Sequence, residues 1–153
     1  MNTLKQGDKV PDFSVNDQDG NKIALSDYTG KKLVVFFYPK ASTPGCTAEA
    51  CNLTDNYETL QNKGYEILGV SADSEKRQTN FRNKYKFPFP LLADEEKEVI
   101  NAFGVWGNKK FMGKEYDGIH RKTFLVNEHG VVAHVIDKVK TKDHAAQILE
   151  LSF

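Results

Sequence analysis

The run Leu33-Val34-Val35-Phe36-Phe37-Tyr38 is the longest unbroken apolar stretch in the chain, and Pro39 ends it. A short run rich in β-branched and aromatic side chains reads as a strand, and with no polar alternation both its faces must be buried. Such a strand needs neighbours in a sheet and helices covering both sides.

The flanking segments supply them. Phe13–Asn16 alternates, and Asp19-Gly20 is a hairpin turn before a strand over Lys22–Leu25. Ser26 can cap a short turn ending near Gly30. After the central run, Thr43 suits an N-cap and Pro44 the first helical position. Ala50, Leu53, Tyr57 and Leu60 recur at three and four, which predicts one helix to about Lys63-Gly64. Tyr65–Ala72 reads as a second buried strand, and Asp73 or Ser74 as the cap of a helix through Tyr85. Phe87-Pro88-Phe89-Pro90 cannot be helical; Leu91–Ala93 is a short strand, and Asp94 caps a helix carrying Val99, Ile100 and Phe103. Residues 106–120 read as a loop of about fifteen residues, long enough to suspect a function. Strands follow over Lys122–Asn127 and Val131–Asp137, and Lys142–Leu151 is a last amphipathic helix. Strands alternating with helices predict an α/β fold: a mixed, partly parallel central sheet flanked by helices, with an N-terminal β-hairpin. At 153 residues the chain is expected to form a single domain spanning 1–153.

Composition excludes several functions. The 21 basic and 21 acidic residues balance, which argues against nucleic acid as a partner. No apolar run approaches the length of a membrane span, so no membrane association is expected. The first residues, Met-Asn-Thr-Leu-Lys-Gln-Gly-Asp, carry no signal-peptide pattern, so the expected compartment is the cytoplasm, where thiols stay reduced. Two cysteines are too few for a disulfide scaffold, and His120, His129, His134 and His144 show no zinc spacing with them. No metal site is expected.

The chemistry sits in Pro39–Cys51. With Thr43 as N-cap, Cys46 occupies the third helical position, where an anion meets free backbone N–H groups and the positive end of the helix. A thiolate is favoured there, and Gly45 keeps its approach open. The bland alternative is an inert buried thiol. Cys51 lies five residues on; in an intact helix the two Cα atoms are about 8.6 Å apart, beyond the roughly 7 Å limit for a disulfide. Either Cys51 is a small core residue, or the pair reacts only after the helix unwinds, as a transient disulfide.

At this point the residues resemble a family. Pro39-x-x-x-Thr43-x-x-Cys46 is similar to the active-site signature of the peroxiredoxins, and Thr43-Pro44-Gly45-Cys46 with Cys51 resembles their bacterioferritin comigratory protein branch, or Q type, in its atypical two-cysteine form. The likeness runs along the chain, through Gly7-Asp8, Pro11-Asp12-Phe13, Asp17-Gln18-Asp19-Gly20, Phe37-Tyr38-Pro39-Lys40, Gly69-Val70-Ser71, Phe103–Gly107 and Gly118–Arg121 to Thr123-Phe124-Leu125. It implies a thioredoxin-like fold and a thiol-specific peroxidase that reduces hydrogen peroxide and organic hydroperoxides to water and alcohols. It implies that Cys46 is the peroxidatic cysteine, that Thr43 and Pro39 shape its pocket and that Arg121 supports the thiolate. It further implies that Cys51 is the resolving cysteine, forming a transient disulfide with Cys46 that thioredoxin or a similar dithiol reduces. No cofactor and a monomeric state are implied as well.

Other readings stay open on the residues alone. Oxidation of Cys46 and Cys51 could serve a redox sensor. A general disulfide oxidoreductase is disfavoured, because that chemistry places its cysteines closer together at the helix start. Glu49 could organise the reactive turn but reads first as a solvated helix glutamate; Lys40 could lend field to the thiolate but reads first as an exposed lysine; Tyr38, Phe81, Phe103 and Trp106 could floor a pocket but read first as core.

Overall fold

The structure, a computed structural model, describes residues 1–151; residues 152 and 153 of the expected domain lie outside the described part. Its centre is the apolar run. Strand β3 (Lys32–Phe37) lies in a five-stranded sheet with β4 (Tyr65–Ser71), β5 (Leu91–Ala93), β8 (Lys122–Val126) and β9 (Val132–Ile136), in the order β5-β4-β3-β8-β9. β3 pairs parallel to β4 and antiparallel to β8, so the sheet is mixed, as expected. Alternate side chains of β3 feed two cores. Val34 and Phe36, followed by Tyr38, pack with residues of α1 (Pro44–Asp55), α2 (Tyr57–Asn62), α3 (Glu75–Tyr85) and α5 (His144–Leu149). Leu33, Val35 and Phe37 pack with Val10, Phe13 and residues of α4 (Glu98–Phe103). An apolar run without alternation is what this two-sided burial requires. Gly69, paired with Phe36 across the sheet, has no room for a side chain: a Cβ there would meet Leu91 at 2.7 Å and the Phe36 ring at 2.8 Å. The N-terminal hairpin is β1 (Ser14–Asn16) with β2 (Lys22–Ala24), and a 3-10 turn follows at Leu25–Tyr28.

Three expectations need correction. The helix predicted from 44 to 63 is broken at Asn56, where the backbone leaves helical geometry (φ −109°, ψ 12°). The Asn56 side chain donates to the Asn52 carbonyl at 2.9 Å, the local competition that makes asparagine a helix interrupter. Asp94 does not directly precede its helix: Lys97, at φ 60°, is the N-cap, and Asp94 reaches forward to accept from the Ile100 N–H at 2.8 Å. Finally, residues 106–120 are not a loop but a hairpin, β6 (Trp106–Phe111) paired antiparallel with β7 (Lys114–Ile119). Met112 and Gly113 both have positive φ, 51° and 79°, as a two-residue hairpin turn demands. The hairpin packs little of either face into the core, so its sequence carries no apolar alternation to reveal it.

Candidate active site

β3 delivers Pro39 and Lys40 to its carboxyl end, and the segment to α1 is held by local hydrogen bonds. The buried Asp73, just after β4, accepts from the Ala41 N–H at 2.7 Å and from the Ser71 hydroxyl at 2.6 Å. Ser42 takes the left-handed conformation (φ 66°), which costs a non-glycine residue strain and persists only when its surroundings enforce it. Thr43 has the extended backbone of an N-cap (φ −83°, ψ 155°), but its hydroxyl does not cap the helix. It donates back to the Lys40 carbonyl at 2.8 Å, so its work here is to close the loop.

This brings Cys46 to the first turn of α1 with 1% of its surface exposed. Access at Cys46 is therefore narrower than the sequence suggested. Arg121, between β7 and β8, reaches it. One terminal nitrogen, Nη2, donates to Sγ at 3.3 Å, and the other, Nη1, donates to Glu49 Oε1 at 2.7 Å. Gly45 makes room for this: a Cβ there would lie 3.2 Å from Arg121 Nη2. The fork thus holds an acid and a thiol on one face of α1, three residues apart.

Glu49 is not the solvated glutamate expected from sequence. It is fully buried, and burial pushes its carboxyl up to about 7 even though the Arg121 guanidinium acts to lower it. Its second oxygen, Oε2, has no hydrogen-bond partner and faces His144 Nε2 at 3.5 Å. His144 is also buried; Thr123 Oγ1 lies 2.8 Å from its Nε2 and Gln147 Oε1 2.9 Å from its Nδ1. Burial, reinforced by the nearby Arg121 charge, lowers the pKa of His144 despite the Gln147 bond, which favours neutral imidazole.

Cys46 and Cys51 are both free thiols in one unbroken stretch of α1. Cys51 is half-buried, and burial, aided by the Asp55 carboxylate one turn on, raises its pKa and keeps it a neutral thiol. Pro39 lines the wall of a groove of about 390 Å³, with Lys40, Trp106, Lys109, Tyr116 and Ile119 among its other residues. Tyr38, Phe81 and Phe103 are core, as expected, whereas Trp106 is only half-buried, with Lys97 Nζ 4.7 Å above its ring.

Residues 6–135 match the AhpC/TSA family. The chain belongs to that family. Peroxiredoxin Bcp of Escherichia coli (strain K12) is 48% identical over 149 residues, covering 97% of this chain and 96% of the relative. Peroxiredoxin Bcp of Bacillus subtilis (strain 168) is 45% identical over 148 residues, covering 97% and 94%. The solved structure of a cysteine mutant of Xylella fastidiosa PrxQ superposes with a TM-score of 0.91 at 30% identity, over 98% of this chain and 96% of that one. A bacterioferritin comigratory protein of Xanthomonas campestris gives 0.84 at 38% identity, over 90% and 88%. Both the family and the thioredoxin-like fold suggested by the motifs are thereby established. Peroxiredoxins are thiol peroxidases, and this chain is an enzyme of that kind.

In this peroxiredoxin sequence reasoning ranked Glu49 as solvated ahead of its place beside the reactive turn, and it missed His144 as the partner on the inward side of the site. One signal was present: Glu49 follows Cys46 by three residues and so shares its helix face, beside a side chain already expected to be an arginine. His144 had no such signal, because its partners lie on α1 and β8, far away in sequence.

Proposed function

We propose that Cys46 is the attacking sulfur of the peroxidase, with Arg121 as its electrostatic partner. The observation that carries this is the 3.3 Å contact from Arg121 Nη2 to Sγ. The Cys46 thiolate attacks the nearer oxygen of a hydroperoxide, the O–O bond breaks, and the leaving oxygen takes up a proton as water or alcohol. The sulfur is left as a sulfenic acid. Arg121 carries five N–H donors and uses two on Cys46 and Glu49, so others are free to stabilise the charge on the departing oxygen. Thr43 and Pro39 shape the approach: Thr43 by closing the loop before α1, Pro39 as a wall of the adjoining groove.

Cys51 then resolves the intermediate. Its thiol condenses with the sulfenic acid, releasing water and forming a Cys46–Cys51 disulfide. An external dithiol, thioredoxin or one like it, reduces that disulfide and becomes oxidised in turn. Substrates are hydrogen peroxide and organic hydroperoxides; the Xanthomonas campestris relative is described as having alkyl peroxide reduction activity. The enzyme works as a single-domain monomer in the cytoplasm without a cofactor. No described helix is long and apolar enough to cross a membrane.

The test is turnover of hydrogen peroxide with thioredoxin and its reductase. Cys46→Ser should consume no peroxide, while a folded Cys46→Ser protein retaining appreciable turnover would overturn the assignment.

A further inference from the structure

Arg121 is not the only cation beside the reactive sulfur. Lys109, on β6 of the hairpin, is half-buried, and its ammonium donates to the Ile119 carbonyl at 2.8 Å. Burial lowers its pKa, the Arg121 charge lowers it further, and Cys46 acts in the opposite sense, so Lys109 stands within electrostatic reach of both. An ammonium has three donors, and Ile119 takes one.

Lys109 also lines the groove that continues from Pro39. That groove has an apolar floor and wall in Pro39, Ala72, Trp106 and Ile119, and its volume of about 390 Å³ is that of a small-molecule site. Of the acids along it, Asp73 is tied to Ala41, Ser71 and Arg77, and Asp117 is exposed on the rim strand. Lys40 and Lys109 make no ion pair with either.

We propose that Lys109 is a specificity-determining residue, which directs hydroperoxides bearing a carboxylate on an alkyl chain into the groove beside Cys46. The argument rests on Cys46 being the attacking sulfur. An anionic substrate approaching an anionic thiolate is repelled, and that repulsion must be offset by a cation not already engaged with the sulfur. Arg121 already bonds Glu49 and Cys46, and its remaining donors serve the departing oxygen. Lys109 has donors to spare, and it lines the same groove as the apolar Pro39, Ala72, Trp106 and Ile119, against which an alkyl chain would lie.

The experiment compares kcat/KM for a hydroperoxy-hexanoic acid and for its methyl ester, two substrates differing only in charge. The wild-type enzyme should favour the acid. The acid-to-ester ratio should fall about three- to fivefold in Lys109→Gln, the scale of one partly exposed charge pair, and Lys109→Arg should keep most of it. High salt should lower the wild-type ratio in the same direction, and Lys109→Met, which keeps the stem without the charge, should give the same fall if Lys109→Gln folds poorly. An unchanged ratio in Lys109→Gln, a loss equal for both substrates, or a wild-type ratio indifferent to salt would overturn the proposal. Turnover of either substrate by Cys46→Ser would instead overturn the assignment of the attacking sulfur.

Discussion

Asn52 ties the reactive helix to the far end of the chain: its side-chain oxygen accepts from the Ala145 N–H at 2.8 Å. Its amide also donates to the Lys142 carbonyl at 3.0 Å. Asn52 directly follows Cys51, so α1 cannot unwind through Cys51 without straining or breaking this tether to α5. The opposite end of α1 is weakly secured. No side chain caps it, and its first turn holds no acidic residue. Because an unbroken helix holds the Cα atoms of Cys46 and Cys51 about 8.6 Å apart, beyond the roughly 7 Å limit for a disulfide, disulfide formation must open this segment.

If Cys46 and Cys51 form a disulfide, the Ala145 amide reports on it. Its exchange with solvent should be at least about tenfold faster in the disulfide form than in the reduced form, the scale of losing one hydrogen bond. Amides over 45–55 should speed up with it. Equal protection in both forms, with the disulfide verified by mass spectrometry, would show that the bond forms without unwinding α1.

Arg121 bonds two partners in fixed directions, so its geometry should matter as much as its charge. Arg121→Ala should lower the rate constant for the first turnover with hydrogen peroxide by about a hundredfold, the usual effect of deleting a charge-stabilising donor. Arg121→Lys should recover little of it, since one ammonium cannot span both Cys46 and Glu49. Near-complete recovery in Arg121→Lys, measured by stopped-flow, would mean that a point charge suffices.

Glu49 gives a stability signature. Its carboxyl ordinarily titrates near 4.5 and is raised to about 7 in the fold. A raised acid is favoured in its protonated form, so this stabilising contribution is complete below the ordinary value and is lost as pH rises through about 7. Glu49→Gln has no proton to lose. Relative to wild type, it should gain on the order of 1–3 kcal/mol in unfolding free energy between about pH 5 and about pH 8. His144 contributes in the other sense, losing stability as pH falls below its ordinary 6.5, and it is present in both proteins. Parallel stability curves across that range would show Glu49 ionised throughout.

What the sequence disclosed and what it hid follow from the range of the interactions. The apolar run of β3, the capping Ser74 and the Thr43-Pro44-Gly45-Cys46 helix start are local signals, and they placed the sheet, α3 and the start of α1 correctly. Hydrophobic pattern could not show the β6–β7 hairpin, which buries little of its surface; Gly113 was the one turn residue that could have betrayed it. The break at Asn56 turns on a single side chain competing for a carbonyl, which periodicity does not register. Glu49 was misread because a glutamate at a helical position is ordinarily solvated; only the return of Arg121 from 72 residues away makes its burial tolerable.

Cys51 carries the last test. Burial and the Asp55 carboxylate raise its pKa, so in the folded helix it is a protonated and poorly nucleophilic thiol, held away from Cys46. Both restraints are local to α1, and both ease if the helix opens. A resolving role and a purely packing role predict different outcomes for Cys51→Ser. If Cys51 resolves, the variant should react with a first equivalent of peroxide at a rate close to wild type, because Cys46 and Arg121 are untouched. It should then stall: thioredoxin-coupled turnover should drop by about tenfold or more, since no intramolecular disulfide can form. The stranded sulfenic acid should go on to sulfinic acid under excess peroxide, which intact-mass measurement detects as a second added oxygen. If Cys51 only packs against the core cluster beside α1, the variant would lose some thermal stability and nothing else. Thioredoxin-coupled turnover at the wild-type rate in Cys51→Ser, with no build-up of the sulfinic form, would therefore remove Cys51 from the catalytic cycle and leave an external thiol to resolve Cys46.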